Sequence, residues 1–557
     1  MSKRIVVDPI TRIEGHLRIE VEVDEQNVIR DAWSSITLWR GIETILKGRD
    51  PRDAGLIVQR FCGVCTYVHY EASIMACEDA FGIKPPPNAR LIRNLIQGIW
   101  HLGDHIMHFY HLHGLDWVDV VSALSADPKK AVELAKSVHD NPYNCSETGY
   151  KAVQQRISKF VQTGRLGPFA NAYWGNPSFK LPPEANLVIL SHYLDALKVS
   201  QVAAQAQAIF GGKNPHPQSL VVGGVTSVLD MMNPNRLGEF LFRAKEVNDF
   251  VERAYIPDVL LAARYYKDEG LAGIGGGVKN YLAYGGFALD DGYSNFLFPR
   301  GVVNNRDLAH PQKLDEEKIT EGVTHAWYEG DKPLHPYKET TIPKYTGYDA
   351  NGHLKGNEKY TWCKAPRYND EPYEVGPLAR MVVGYAMGDK RIKPLVESTL
   401  QATGLPATVL FSTLGRTAAR AIETRLVGEQ LEGWINELVA NMKKGDVRTW
   451  TPCTVPKEGQ GRGMTEPPRG ALGHWIRIED HKIANYQAVV PSTWNCSPRD
   501  EKNKRGPYEE SLIGTKLAKV DQPLEIIRTI HSFDPCMACA VHVIDPQTKE
   551  IHKFRIA

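Results

Sequence analysis

Asp534-Pro535-Cys536-Met537-Ala538-Cys539-Ala540-Val541-His542 lies close to the end of the chain. Two cysteines three positions apart let one tight turn aim both thiolates at a single metal ion. A second pair with the same spacing lies near the start, in Arg60-Phe61-Cys62-Gly63-Val64-Cys65. The pairs stand 471 positions apart, counted from Cys65 to Cys536. Together they offer four thiolates, enough for a metal site if the fold joins the ends. Paired CxxC is the usual signature of structural zinc, and that reading stays open on spacing alone. Structural zinc pairs, however, sit a few tens of residues apart and staple small domains. A chain of 557 residues needs no staple, so the wide separation favours a site at the centre of one large fold.

Composition supports a large core. Hydrophobic residues make up 42% and charged residues 24%, which is globular usage. A formal net charge of +1 gives no argument for nucleic acid or an anionic membrane surface. Nine cysteines in this length do not make a disulfide scaffold. Cys77, Cys145, Cys363, Cys453 and Cys496 are scattered singly and read mostly as small buried hydrophobes. Met1-Ser2-Lys3-Arg4-Ile5 offers no apolar signal core. Even the apolar stretch from Leu187 to Phe210 is broken by His192, Asp195 and Lys198. The expectation is a chain with no export signal or membrane anchor of its own.

Periodicity places strands first. Arg4 to Val7, His16 to Val23 and Val28 to Ser34 alternate as short strands, with a hairpin turn over Asp24 to Asn27. Pro85-Pro86-Pro87-Asn88 then punctuates the chain, with Asn88 expected as a helix N-cap. Leu91, Ile92, Leu95, Ile96 and Ile99 follow at helical spacing, continuing through Ile106. That helix carries His105, His108, His111 and His113, which do not share one face and read as packing or surface residues. A second long helix starts at Pro182-Pro183-Glu184, with Leu187, Leu190, Leu194 and Leu197 on one stripe and Gly211-Gly212 at its end. Asn235 to Ala254 and Thr417 to Met442 are further helices. The glycines at 270, 273, 275, 276 and 277 have no GKS/T behind them and read as a turn, not a phosphate cradle. Residues 300–375 are polar and rich in Pro, Tyr, Asn and Gly, a long excursion with short strands that could present a partner surface. Neither a repeat nor a linker is visible, so one intertwined unit is expected.

With Thr66-Tyr67-Val68-His69 following the first pair, the two cysteine segments closely resemble those of the large subunit of nickel–iron hydrogenases. Thr11-Arg12-Ile13-Glu14-Gly15-His16, Trp39-Arg40-Gly41-Ile42-Glu43, Glu374-Val375-Gly376-Pro377-Leu378, Pro468-Arg469-Gly470 and Val490-Pro491-Ser492-Thr493-Trp494-Asn495 add to the likeness, in order along the chain. Phe61 stands where a smaller aliphatic residue is expected and reads as a packing variation. The subgroup resembled is the uptake enzymes. The resemblance implies a predominantly helical α+β fold, with long central helices and small peripheral sheets. One catalytic unit would span 1–542, and 543–557 would be a maturation peptide.

The resemblance also implies the site. Cys62 and Cys536 would bind nickel alone, and Cys65 and Cys539 would bridge nickel and iron; soft thiolates suit both metals. The iron would carry one carbonyl and two cyanides. Arg469 and Ser492 match the donors to those cyanides, and Pro468 and Pro491 the pocket walls. In isolation Arg469 reads only as a residue in a surface turn. Asp104 and Asp534 match the acids that hold this arginine, as a buried guanidinium requires. Glu14 matches the carboxyl that relays a proton from Cys536; without the motif it is a partner for Arg12 or an N-cap. His69 matches a donor to the bridging Cys65. Glu43, the carbonyl of Ala488 and His542 match a magnesium site, to which a carboxylate and a carbonyl are suited.

The implied activity is reversible heterolytic cleavage of dihydrogen. No ferredoxin-like cysteine pattern remains in the chain, so electrons would leave through an iron–sulfur small subunit. That partner would carry the chain across the membrane to the periplasm, peripheral to the cytoplasmic membrane, with a membrane cytochrome or another acceptor beyond it. A maturation protease would cut between His542 and Val543 after metal-insertion factors have acted; read blandly, the tail is a short hairpin. Two alternatives share the fold: a hydrogen sensor and a non-catalytic zinc-bound relative.

Overall fold

The computed structural model describes residues 3–164, 167–169 and 172–537. Cys539, His542, Val543 and the expected maturation peptide lie outside the described residues.

The first strands form where their alternation places them. Lys3–Val7, Leu17–Val23 and Ile29–Ile36 make an antiparallel sheet, paired from Lys3↔Val23 and from Leu17↔Ile36. The turn closes with Asn27 N–H on the Asp24 carbonyl and Val28 N–H on the Asp24 carboxylate, 3.0 and 2.9 Å. Ile19, Val21 and Ile29 of this sheet share a core with Leu512, Leu517, Ile526 and Ile530. Burying that apolar face is what joins the two ends of the chain. Main-chain contacts extend the join: Glu14 N–H reaches the Pro535 carbonyl at 3.3 Å, and Met537 N–H the Glu14 carbonyl at 2.8 Å.

Helices build the centre. Pro87–Met107 packs against Pro183–Gly211, Thr413–Gly428 and Leu431–Lys443. Asn88 is not the N-cap. Pro86 takes that place, and Pro87 opens the helix with a nitrogen that needs no partner. Asn88 sits inside the first turn and donates to the Asp446 and Arg448 carbonyls, 3.0 and 3.1 Å. Beyond Met107 the helix widens into a π turn over His108–His113. The wider turn sends the histidines to separate partners, and the surface role is wrong for His105, His108 and His113, which are buried.

Two other helix boundaries and one buried stripe differ from expectation. Pro234–Phe250 runs on through a π turn, Val251–Tyr255, into Ile256–Leu271. Pro257 lacks the N–H that an unbroken α-helix would use there. Thr417 to Met442 is two helices, Thr413–Gly428 and Leu431–Lys443, not one. The Leu187 stripe does not stay inside: Leu187 and Leu190 are buried, but Leu197 is 52% exposed, because later turns bury Val199, Ala203 and Ala206 instead.

A second antiparallel sheet, Glu458–Thr465, Leu472–Glu479 and Lys482–Val489, carries the site from below. The Thr66–Phe81 helix lies flush on its first strand. Gly461 and Gly463 alternate onto that face. A Cβ on Gly463 would come within 1.9 Å of the Ala72 carbonyl, and one on Gly461 within 2.2 Å of the Ala76 carbonyl. This sheet is therefore covered on one face by that helix. The excursion over 300–375 is mixed: Glu321, Trp327, Tyr360 and Lys364 are buried, while Leu334, Ile342 and Tyr345 are exposed. Gly270 falls in the last turn of the Ile256–Leu271 helix, and the turn expected from the glycines follows it over 272–275.

Candidate metal centre

Cys62 follows a short turn, Gln59–Phe61, and Cys65 is the N-cap of the Thr66–Phe81 helix. The Cys62 sulfur accepts from the N–H groups of Val64 and Cys65, both at 3.1 Å. Two such donors stabilise thiolate over thiol. Cys536 arrives from the other end, behind the Leu524–Ser532 helix and a left-handed Asp534 (φ 58°). Its sulfur lies 3.3 Å from Cys62 Sγ and 3.4 Å from Cys65 Sγ, all three buried. A disulfide needs about 2.05 Å, whereas sulfurs each about 2.3 Å from a shared ion reach these separations. The thiol set therefore fits one soft metal centre, with Cys539 outside the described residues.

A cavity opens beside the sulfurs. Arg469, Ser492, Pro491, Pro467, Val68 and His69 line it with Cys65 and Cys536. The proline lining it from the Arg469 loop is Pro467; Pro468 is turned so that its carbonyl accepts from Arg380 Nη2 at 2.7 Å. Arg380 also holds the Pro467 carbonyl at 2.8 Å, and is itself paired with Glu423 and Glu466. Back-to-back glycines seat the loop. A Cβ on Gly470 would come within 2.5 Å of Gly376 N, and one on Gly376 within 3.0 Å of the Arg469 carbonyl. Asn495 brackets the same segment, accepting from Val375 N–H at 3.1 Å and donating to its carbonyl at 2.9 Å. Three of the quoted motifs thus lock one another around Arg469.

Arg469 is buried and stands between Asp104 (3.2 Å) and Asp534 (3.0 Å). Burial works against its charge, but the two carboxylates keep it firmly cationic. Burial pushes the Asp104 carboxyl up to about 7 against the pull of Arg469, with Asp534 adding to the rise. Cys536 Sγ lies 3.3 Å from Glu14 Oε2. Arg12 is engaged elsewhere, with the Leu112 carbonyl and Asp116, so Glu14 is not simply its partner. Ser492 Oγ accepts from Cys536 N–H at 3.0 Å, which leaves its own proton to donate. His69 Nδ1 faces His474 Nε2 at 3.2 Å, and Phe61 packs on both rings with centroids 4.9 and 5.9 Å away.

Glu43 and Ala488 are neighbours: Ala488 N–H donates to Glu43 Oε1 at 3.0 Å. The sequence reading missed what surrounds them. Lys364 Nζ lies 2.6 Å from Glu339, 3.9 Å from Glu321 and 4.0 Å from Glu43. Both carboxylate oxygens of buried Glu321 lack a hydrogen bond, and burial next to Glu339 drives its carboxyl well above the ordinary range. With Glu321 held neutral, the carboxylates of Glu43 and Glu339 face one ammonium, and the negative charge left over fits a hard cation beside Glu43. No quoted motif marked Arg380, Glu321, Glu339 or Lys364, although Arg380 stands as a lone charge in the apolar run Pro377–Ala386.

Residues 40–542 match the family model described as nickel-dependent hydrogenase, and residues 4–37 a HoxL-like model. The chain is 53% identical to the quinone-reactive Ni/Fe-hydrogenase large chain of Wolinella succinogenes, covering 100% of this chain and 98% of that one. It is 50% identical to the uptake hydrogenase large subunit of Rhizobium leguminosarum bv. viciae, with the same coverage. Among solved structures, the reduced Ni-Fe-Se hydrogenase from D. vulgaris Hildenborough superposes with a TM-score of 0.80 at 36% identity, over 97% of this chain and 100% of that one.

Proposed function

The chain belongs to the nickel-dependent hydrogenase family as a large, catalytic subunit, and from that premise we propose that Cys62, Cys65, Cys536 and Cys539 hold a nickel–iron centre for reversible heterolytic cleavage of dihydrogen. One observation carries the reading: buried sulfurs from opposite ends of the chain come within 3.4 Å beside a buried guanidinium. Cys62 and Cys536 would hold nickel, Cys65 and Cys539 would serve both nickel and iron, and the iron would carry carbonyl and cyanide. Such a centre, when bound, supplies the Lewis acidity and redox capacity that a nonpolar, weakly acidic substrate demands.

The protein's own groups handle position and protons. Cys536 Sγ takes the proton, and Glu14, 3.3 Å away, carries it off. Asp104 and Asp534 fix the Arg469 fork over the cavity, where a fixed cation acts without reorganising. Ser492, with its oxygen already occupied by Cys536 N–H, directs its proton into the cavity, where a cyanide nitrogen requires a donor. His69 would serve the Cys65 thiolate as donor, and Pro467 and Pro491 wall the cavity and keep it dry. Glu43, the Ala488 carbonyl and His542 would hold magnesium, a reading supported by the Glu43 and Glu339 carboxylates that share the single Lys364 ammonium.

The named relatives are large chains or large subunits, which supports a small-subunit partner carrying iron–sulfur clusters. Co-export with it to the periplasm, and electron delivery to a membrane cytochrome or other acceptor, belong to the same reading. Among the described residues no helix is long and apolar enough to cross a membrane. Removal of residues 543–557 by a maturation protease, after metal-insertion factors have acted, is supported by the family match ending at His542. Intact mass of the active complex is expected to end this chain at His542; an active subunit that retains Ala557 would refute processing. Metal analysis with infrared spectroscopy tests the centre itself. Equal nickel and iron with carbonyl and cyanide bands are expected, and zinc alone would sink the reading.

A further inference from the structure

His69 is one link in a buried chain that runs away from the sulfurs. Its Nδ1 faces His474 Nε2 at 3.2 Å, and His474 Nδ1 faces the Tyr486 hydroxyl at 2.6 Å. All three side chains are buried, and Phe61 covers both imidazoles. His474 and Tyr486 sit on neighbouring strands of the covered sheet, Leu472–Glu479 and Lys482–Val489, so the spacing is set by rigid backbone. Two ring nitrogens 3.2 Å apart cannot both carry a proton, and burial holds His474 well below the ordinary histidine range, so that ring is neutral. Burial also keeps the Tyr486 phenol protonated.

A neutral imidazole has one donor and one acceptor nitrogen, so the whole chain points one way or the other. In one direction Tyr486 O–H donates to His474 Nδ1, His474 Nε2–H donates to His69 Nδ1, and His69 keeps its proton on Nε2. In the other, His69 Nδ1–H donates outward and Nε2 carries a bare lone pair. His69 lines the cavity of Cys65 and Cys536. A thiolate only accepts, so a lone pair aimed at it is repelled, while an N–H is bound. A phenol is also a better donor to imidazole than imidazole is to a phenol, as their acidities require.

We propose that Tyr486 and His474 are positioning residues that fix the Nε2–H tautomer of His69, so that this ring presents a donor to the thiolates of the metal centre. The inference rests on the nickel–iron reading above. Its test is infrared spectroscopy of the purified, metal-loaded complex carrying Tyr486→Phe, His474→Leu or His474→Gln. Losing the donor to a thiolate makes that sulfur a stronger electron donor, which moves the carbonyl band to lower wavenumber. That shift is expected for Tyr486→Phe and for His474→Leu. His474→Gln keeps an amide N–H facing His69 and is expected to restore the wild-type position. Unchanged bands in both Tyr486→Phe and His474→Leu at full metal content, or no restoration by glutamine, would overturn the inference. Absence of the bands from the wild type would instead sink the nickel–iron reading, and this inference with it.

Discussion

Among the described residues three buried clusters each offer three side chains to one cation, and two of them make a comparison: Cys62, Cys65 and Cys536, and His113, Asp116 and His531. Distance alone does not separate them; hydrogen bonding does. In the histidine cluster every ring nitrogen is engaged. His531 reaches Asp116 at 2.6 Å and the Thr11 carbonyl at 2.8 Å, and His113 reaches Asp116 at 3.1 Å and Thr417 at 3.2 Å. Arg12 takes the remaining Asp116 oxygen. A metal there would have to break a complete network, which marks the cluster as a structural tie. Beside the sulfurs the accounts are open. Asp104 Oδ1 and Arg469 Nε are buried and make no hydrogen bond among the described residues. Polar atoms left unsatisfied in a dry site are arranged for something that binds.

The comparison breaks first at Glu14. Glu14→Gln keeps the shape but cannot accept and pass on a proton; turnover is expected to fall roughly 10²–10⁴-fold, with metal content and infrared bands retained. Hydrogen/deuterium exchange assays check it, and normal exchange would remove Glu14 from the route. Arg469→Lys should follow, with a loss on the order of 10²–10³-fold, because an ammonium cannot fork between Asp104 and Asp534. Near-normal rates in that variant would make Arg469 a structural residue as well.

The histidine cluster should behave oppositely. Burial would raise the Asp116 carboxyl, but Arg12 and His531 hold it well below the ordinary range, so its charge stabilises the fold. Asp116→Ala is expected to cost about 3–5 kcal/mol in unfolding experiments, while turnover per metal-loaded molecule stays near wild type. Because the folded-state value is depressed, this stabilisation is present above the ordinary carboxylate pKa and is lost as pH falls below it. A specific loss of turnover without loss of stability would erase the distinction.

The smallest effect concerns Glu71, which is buried and hydrogen-bonded by Tyr67 and Thr465 yet raised from 4.5 to about 7, first by burial. Its folded-state value exceeds the unfolded one, so the penalty for ionising it grows as pH rises from 4.5 through about 7. Glu71→Gln should raise the unfolding temperature at alkaline pH, by roughly 1–3 kcal/mol of stability, and leave it nearly unchanged in acid. Equal shifts at both ends would mean that the carboxyl is not the source.

How much was legible follows from where the signal lies. The first sheet and its turn were readable because alternation and an Asp–Asn turn are local. The helix boundaries at Asn88 and Gly428, and the π turn over His108–His113, were not, because a proline at N1 and a widened turn leave the apolar period almost intact. The Glu458–Thr465 strand, with glycines alternating at 459, 461 and 463, did carry a signal, for a backbone pressed against a helix, that could have been used.

By itself the sequence displayed the proposed ligands: cysteine pairs of fixed spacing at both ends, and the motifs around Arg469, Glu14 and Glu43. These are matters of residue type and local order, which a linear chain displays. Only the tertiary structure decided which polar residues complete the site. Arg380, His474, Tyr486, Glu321, Glu339 and Lys364 come from segments with no spacing in common. The physical reason is that a buried charge or a neutral imidazole is defined by its partners. Those partners are brought together by long-range packing, which no local period records.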